Sequence, residues 1–296
     1  MAITAKQVKE LREKTGAGMM DCKKALAECD GDQAKAIDWL REKGIAKAGK
    51  KAGRVAAEGL TRVAVDGNTG IVIEVNSETD FVTKNDKFLT LVDTIAKYVA
   101  ANKPGTVEEV LKIETPEGTI DELITSATAT IGEKISFRRF AIIEKTDDQQ
   151  FGTYMHMGGT ISALVLLEGA SEEVAKDMAM QVASMNPQYV TINEVPAEIV
   201  EHEKALQRQM MADDPKLAGK PEKVLEGILN GKVSKHFKDT CLMDQEYFKD
   251  TKEKVSQFLK QNHAKVLQFV RFAAGEGIEK REENFADEVA AQISKA

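Results

Sequence analysis

Twice along the chain the same series of signals recurs: an apolar strand-like run, a glycine-bearing turn, a second apolar run, then a helical pattern. The copies lie at roughly 60–101 and 151–186. In the first, Leu60 to Val65 alternates, Asp66-Gly67-Asn68-Thr69-Gly70 turns and Ile71 to Val75 returns. Phe88, Leu91, Val92, Ile95 and Val99 then fall on one helical stripe. In the second, Phe151 to His156 and Ile161 to Leu167 flank Gly158-Gly159, and Ser171 caps a helix running to Asn186, before Pro187. Short glycine turns join antiparallel strands, whereas parallel strands need a long crossover. The repeat therefore predicts an α+β protein whose core is two related subdomains with antiparallel sheets.

Helices surround this pair. Lys6 to Thr15, Met20 to Cys29 and Ala34 to Lys43 read as a three-helix bundle, broken by Gly16, Gly18 and the Asp30-Gly31-Asp32 turn. Gly44 to Arg54, where Lys47, Lys50, Lys51 and Arg54 interleave with Ala and Gly, reads as a solvated connector. It nearly spells a phosphate-binding loop, but Lys51 stands where a magnesium-binding Ser or Thr is needed, and a helix, not a strand, precedes it. Thr106 to Leu111 and Asp121 to Ile131 read as helices, and Ile135 to Ile143 as a strand interrupted by Arg138 and Arg139. Pro196 to Asp239 is polar and helical, with breaks at Pro215 and Gly219-Lys220-Pro221. It predicts a projecting antiparallel hairpin with Ile199, Leu206, Met210, Val224, Ile228 and Leu229 along its seam. Lys254 to Asn262 reads as a helix, Lys265 to Ala274 as a strand, and Phe285 to Ile293, capped by Asn284, as a last helix.

Composition narrows the function. With 42 % apolar and 30 % charged residues the chain is a folded protein, and 296 residues leave room for about two or three domains. No apolar run approaches the roughly 20 residues that span a bilayer. The start, Met-Ala-Ile-Thr-Ala-Lys, lacks the apolar core of a signal peptide, and Cys22, Cys29 and Cys241 form no paired framework. A cytoplasmic setting without membrane attachment is expected. A net charge of −7 and few aromatics argue against nucleic acid as the main partner. His156, His202, His236 and His263 show no metal-ligand spacing, and no Gly-x-Ser-x-Gly turn or similar nucleophile motif occurs. No catalytic residue, metal or cofactor is assigned, and the expected partner is a protein.

The stretch from Val75 to Phe88 joins the second strand to its helix and sets Asp80 beside Phe81. Two readings are open. Asp80 caps the helix and Phe81 enters the core, or the pair is a wedge whose ring enters a partner's pocket while the acid disturbs charge there. Met19 and Met20, beside Gly18, are likewise either core filler or an adaptable contact surface.

Four ordered blocks carry a resemblance. The run from Leu11 to Leu26, centred on Thr15-Gly16-Ala17-Gly18-Met19-Met20-Asp21-Cys22-Lys23-Lys24, closely resembles the amino-terminal domain of the bacterial elongation factor Ts family. Glu78-Thr79-Asp80-Phe81-Val82 resembles its central signature, and Ile131-Gly132-Glu133-Lys134-Ile135 and Phe272 to Lys280 resemble further blocks. The resemblance implies a ubiquitin-associated-like bundle with its connector at 1–54, core subdomains at 55–145 and at 146–195 with 240–275, an inserted helical hairpin at 196–239, and a carboxy-terminal helical module at 276–296. It implies guanine-nucleotide exchange on elongation factor Tu, a cytoplasmic GTPase, by stabilising its nucleotide-free state. No cofactor, enzymatic turnover or direct nucleic-acid contact is implied. Asp80 and Phe81 match the exchange wedge, near the partner's magnesium and phosphate site. Arg12, Met19, Met20, Val82, Ile131, Gly132 and His156 match other partner contacts, with Tyr154 beside His156. A homodimer through the hairpin is a further implication. Ser77, Thr83, Gly159-Thr160-Ile161-Ser162 and Glu246 depart from the family's usual residues. The alternative from another class is a non-catalytic adaptor that binds through the ubiquitin-associated-like domain.

Overall fold

The computed structural model describes residues 3–212, 214, 217 and 220–279. The helix expected at Phe285–Ile293, and most of the 276–296 module, lie outside the described residues. Helices α1 (Ala5–Thr15), α2 (Met19–Glu28) and α3 (Gln33–Lys51) open the chain. Strands β1 (Glu58–Asp66) and β2 (Thr69–Ser77) form a hairpin, followed by a 3₁₀ turn at Asp80–Lys84 and α4 (Asp86–Asn102). Then come α5 (Val107–Leu111), the short β3 (Glu114–Thr115) and β4 (Gly118–Thr119), α6 (Ile120–Ile131) and β5 (Ser136–Glu144). The second half holds β6 (Gln149–His156), β7 (Ile161–Glu168), α7 (Glu172–Met185), α8 (Ala197–Ala212) and α9 (Glu222–His236). It continues with β8 (Glu246–Tyr247), β9 (Asp250–Lys254), α10 (Val255–Gln261) and β10 (Lys265–Ala273).

The fold is α+β, with antiparallel sheets ordered β1-β2-β5 and β10-β7-β6. The stripe Phe88, Leu91, Val92, Ile95 and Val99 of α4 packs on Leu60, Ile71, Ile73 and Val75. On the second sheet, Val174, Met178 and Val182 of α7 pack on Ala163, Val165 and Leu167. The other sides of the sheets meet, where Val72, Ile143, Phe151, Leu164 and Leu166 form a shared core. A helix–sheet–sheet–helix stack follows. It explains why β2 and β7 read as continuous apolar runs: each is buried on both faces, so neither can alternate with polar residues.

Three expectations need correction. The segment after Lys43 is not a loose connector, because α3 continues to Lys51. Its glycines cost helix propensity, yet the helix is held along α6. A Cβ on Gly44 would sit 3.4 Å from the Ala129 methyl, Arg41 pairs with Glu122, and the Lys51 ammonium donates to the Gly132 carbonyl. Nor is β5 interrupted. Its register against β2 shifts between Glu74, opposite Arg139, and Val75, opposite Phe137, leaving Arg138 as a bulged residue. Both guanidinium groups thereby reach the buried Glu74, Arg138 at 2.9 Å and Arg139 at 2.5 Å, and the Gly275 N–H donates to the same carboxylate at 2.8 Å.

The hairpin of α8 and α9 forms, with a different seam. Leu229 is buried and Ile228 packs beside it, but Ile199, Leu206, Met210 and Val224 are exposed. The seam uses Val200, Met211, Leu225, Val233 and Phe237. Glu203 lies on the inward face, paired with His236 at 3.4 Å and bonded to Gln207 at 2.8 Å. That buried acid hides the true phase of the apolar stripe.

Candidate partner-binding site

β2 ends at Ser77, and after two intervening residues, Glu78 and Thr79, the chain enters the 3₁₀ turn. Three residues per turn send successive side chains about 120° apart. Val82 takes the inward direction and joins the α4 core, so Phe81 points away and is 81 % exposed. Asp80 is exposed beside it. The capping role falls to Asn85, whose side chain accepts from the Lys87 N–H at 2.9 Å at the start of α4. The reading of Asp80 as cap and Phe81 as core therefore fails. Val82, expected as a contact, is instead a buried anchor, because only one residue of the pair can face the core.

The base of the turn is fixed by a loop distant in sequence. Gly132 ends α6 in the left-handed conformation, φ +92°, and turns the chain so that Glu133 and Lys134 face residues 78 and 79. Glu133 accepts from the Thr79 N–H at 2.9 Å and from the Thr79 hydroxyl at 2.7 Å. Glu78 accepts from the Lys134 N–H at 2.5 Å and meets the Arg54 guanidinium at 3.3 Å. The Lys134 ammonium donates to the Arg54 carbonyl at 2.8 Å. Glu78, Thr79, Glu133 and Lys134 are site residues that sequence reasoning did not single out. Their only signal was that all four fall in the quoted blocks.

The other expected residues arrive from separate elements. Lys87 at the start of α4 donates to the Gly16 carbonyl at 2.9 Å, which ties the α1–α2 turn to the helix that follows Phe81. Just beyond, Met19 and Met20 are 49 % and 75 % exposed, while Cys22 and Leu26 fill the bundle core. The methionines are surface, not filler. Arg12 is exposed on the last turn of α1, Gly132 is exposed, and Ile131 is half-buried against the α4–α6 core. His156 is exposed at the end of β6, with its ring 3.4 Å from the Tyr154 hydroxyl. The β6–β7 turn is bonded to β1 through Gly159, whose carbonyl accepts from the Thr61 N–H and hydroxyl, both at 2.7 Å. Met155 and Met157, which flank His156, are also exposed and add an apolar surface the sequence did not announce.

Among the described residues no group of His, Cys, Asp and Glu is arranged to hold a metal ion, and no helix is long and apolar enough to cross a membrane. The site thus offers an exposed ring, an adjacent acid and flexible thioethers on fixed supports. These are means of contact. Residues 78–276, from the base of the Phe81 turn past β10, match the family model described as Elongation factor TS. The chain belongs to that family, one of translation elongation factors.

Proposed function

We propose that this elongation factor Ts family member is a guanine-nucleotide exchange factor for elongation factor Tu, promoting GDP release by stabilising the nucleotide-free GTPase. One observation carries the reading: Phe81 stands 81 % exposed between a clasped base and a buried anchor, Val82. A large ring held in water forgoes about 2–3 kcal/mol of burial, which a partner pocket would recover. Asp80 beside it would bring negative charge toward the magnesium and phosphates that the partner holds.

Magnitudes require more than this ring. A nucleotide held at nanomolar affinity has about 12 kcal/mol of binding free energy, and each tenfold faster release needs about 1.4 kcal/mol. A broad surface supplies the remainder: Arg12, Met19 and Met20 from the bundle, Ile131 and Gly132 at the end of α6, and His156 with its methionine neighbours. By linkage, this surface and the nucleotide weaken each other's binding by the same factor. The chain then acts in the cytoplasm without chemistry of its own, without direct nucleic-acid contact and without a membrane.

The domain division belongs to the same reading: a ubiquitin-associated-like bundle within 1–54, core subdomains at 55–145 and at 146–195 with 240–275, the hairpin at 196–239 and a module from 276. The exposed Ile199, Leu206, Met210 and Val224 give the hairpin an apolar side that suits self-association. Release of labelled GDP from elongation factor Tu by substoichiometric amounts of the chain tests the proposal. An adaptor that merely binds through its bundle would not accelerate release.

A further inference from the structure

Two carboxylates close the base of the Phe81 turn in opposite directions. Glu133 accepts both polar hydrogens of Thr79, and Glu78 accepts the N–H of Lys134. Each segment's acid is thus spent on the other segment's backbone, and such charge-assisted bonds are roughly twice as strong as neutral ones. Between Thr79, held by Glu133, and Val82, held by the core, only Asp80 and Phe81 remain outside. A contact group ordered before binding loses less on association than one that must be ordered by it.

We propose that Glu133 is a positioning residue for exchange: through Thr79 it fixes the direction and rigidity with which Asp80 and Phe81 meet the partner, without itself touching the nucleotide site. The inference rests on the wedge reading above, and it assigns a role to a residue on a different element, 52 positions beyond Phe81.

The test uses the full chain, with GDP release from elongation factor Tu measured across a range of chain concentrations. Hydrogen exchange of the Thr79 amide in the free chain is followed in parallel. Glu133→Ala should lower the maximal release rate about tenfold, shift the half-saturating concentration by less than about twofold, and remove protection of the Thr79 amide. Glu133→Gln keeps an oxygen for the Thr79 N–H and offers its NH₂ to the Thr79 hydroxyl, which can rotate to accept. It should retain protection and a rate within about twofold of the parent. Thr79→Val, which deletes only the hydroxyl bond, should slow release about threefold, with Thr79→Ser restoring it. This pair carries the test if Glu133→Ala does not fold.

A Glu133→Ala chain that loses amide protection yet reaches the parental maximal rate overturns the proposal. So does a variant in which only the half-saturating concentration rises, or a Gln variant as slow as the Ala variant. Failure of the wedge reading looks different: Phe81→Ala would then leave the maximal rate unchanged, whatever Glu133 does.

Discussion

Phe81 and Val82 are neighbours in the chain and opposites in environment, the ring 81 % exposed and the valine 4 %. A third of a turn of 3₁₀ helix separates an exposed ring from a core anchor. Val82→Ala should cost about 1–3 kcal/mol of stability, since it opens a gap against α4. Phe81→Ala should stay within about 0.5 kcal/mol of the parent. Chemical denaturation of the two variants measures the difference, and equal losses would mean that the ring is part of the core.

Glu74 makes a second prediction, on acid stability. Burial alone would raise its carboxyl, but bonds from the Asn76 side chain, the Gly275 N–H, Arg138 and Arg139 together outweigh it and hold the group below its ordinary 4.5. A carboxyl depressed in the folded state contributes stability above its unfolded value, and that contribution is lost as pH falls through the folded one. Glu74→Gln should therefore lower stability at pH 7 by about 2–4 kcal/mol. The gap to the parent should narrow as pH falls below 4.5. A gap that is constant with pH would show that the charge of Glu74 does not matter.

Removing residues 1–54 tests how independent the bundle is. Its three helices have their own core around Leu11, Cys22 and Leu26, but α3 also lies along α6. The remainder should fold on its two sheets and melt roughly 2–4 °C lower, for a loss of about 1 kcal/mol. Its capture of elongation factor Tu should be weaker, because Arg12, Met19 and Met20 are gone. Calorimetry gives the first outcome and titration the second. An unchanged melting temperature would make the α3–α6 contact incidental.

The hairpin is predicted to matter for association and little for exchange. Replacing α8 and α9 with a short Gly/Ser linker should leave release within about threefold, under roughly 0.7 kcal/mol. Light scattering should show any dimer of the parent becoming monomer. A parent monomeric throughout the micromolar range would remove the association role, and lost exchange in a folded product would place the hairpin on the exchange surface.

Sequence spoke most clearly where one structural period acts alone. The hairpin Leu60–Val75 and the α4 stripe from Phe88 to Val99 stand as their spacing predicts. It misled where distant residues decide. Gly44 reads as a break until Ala129 of α6 packs against it, and Arg138 reads as an interruption until Glu74, 64 positions earlier, receives it. Glu203 concealed the hairpin seam because a buried acid looks like a solvent position until His236 and Gln207 are placed around it. For Phe81, spacing permitted either a core or a surface residue. The outcome turned on which of two adjacent apolar side chains a tight turn sends inward, and period alone does not contain that choice.

The most direct test of the account is GDP release from elongation factor Tu, catalysed by substoichiometric amounts of the parent and of the Asp80→Ala, Phe81→Ala double variant. The parent should accelerate release, and the folded double variant should do so at least about tenfold less well, a loss of roughly 1.4 kcal/mol or more from barrier lowering. Equal acceleration by a folded, partner-bound double variant would contradict the central claim that this exposed pair drives the nucleotide out.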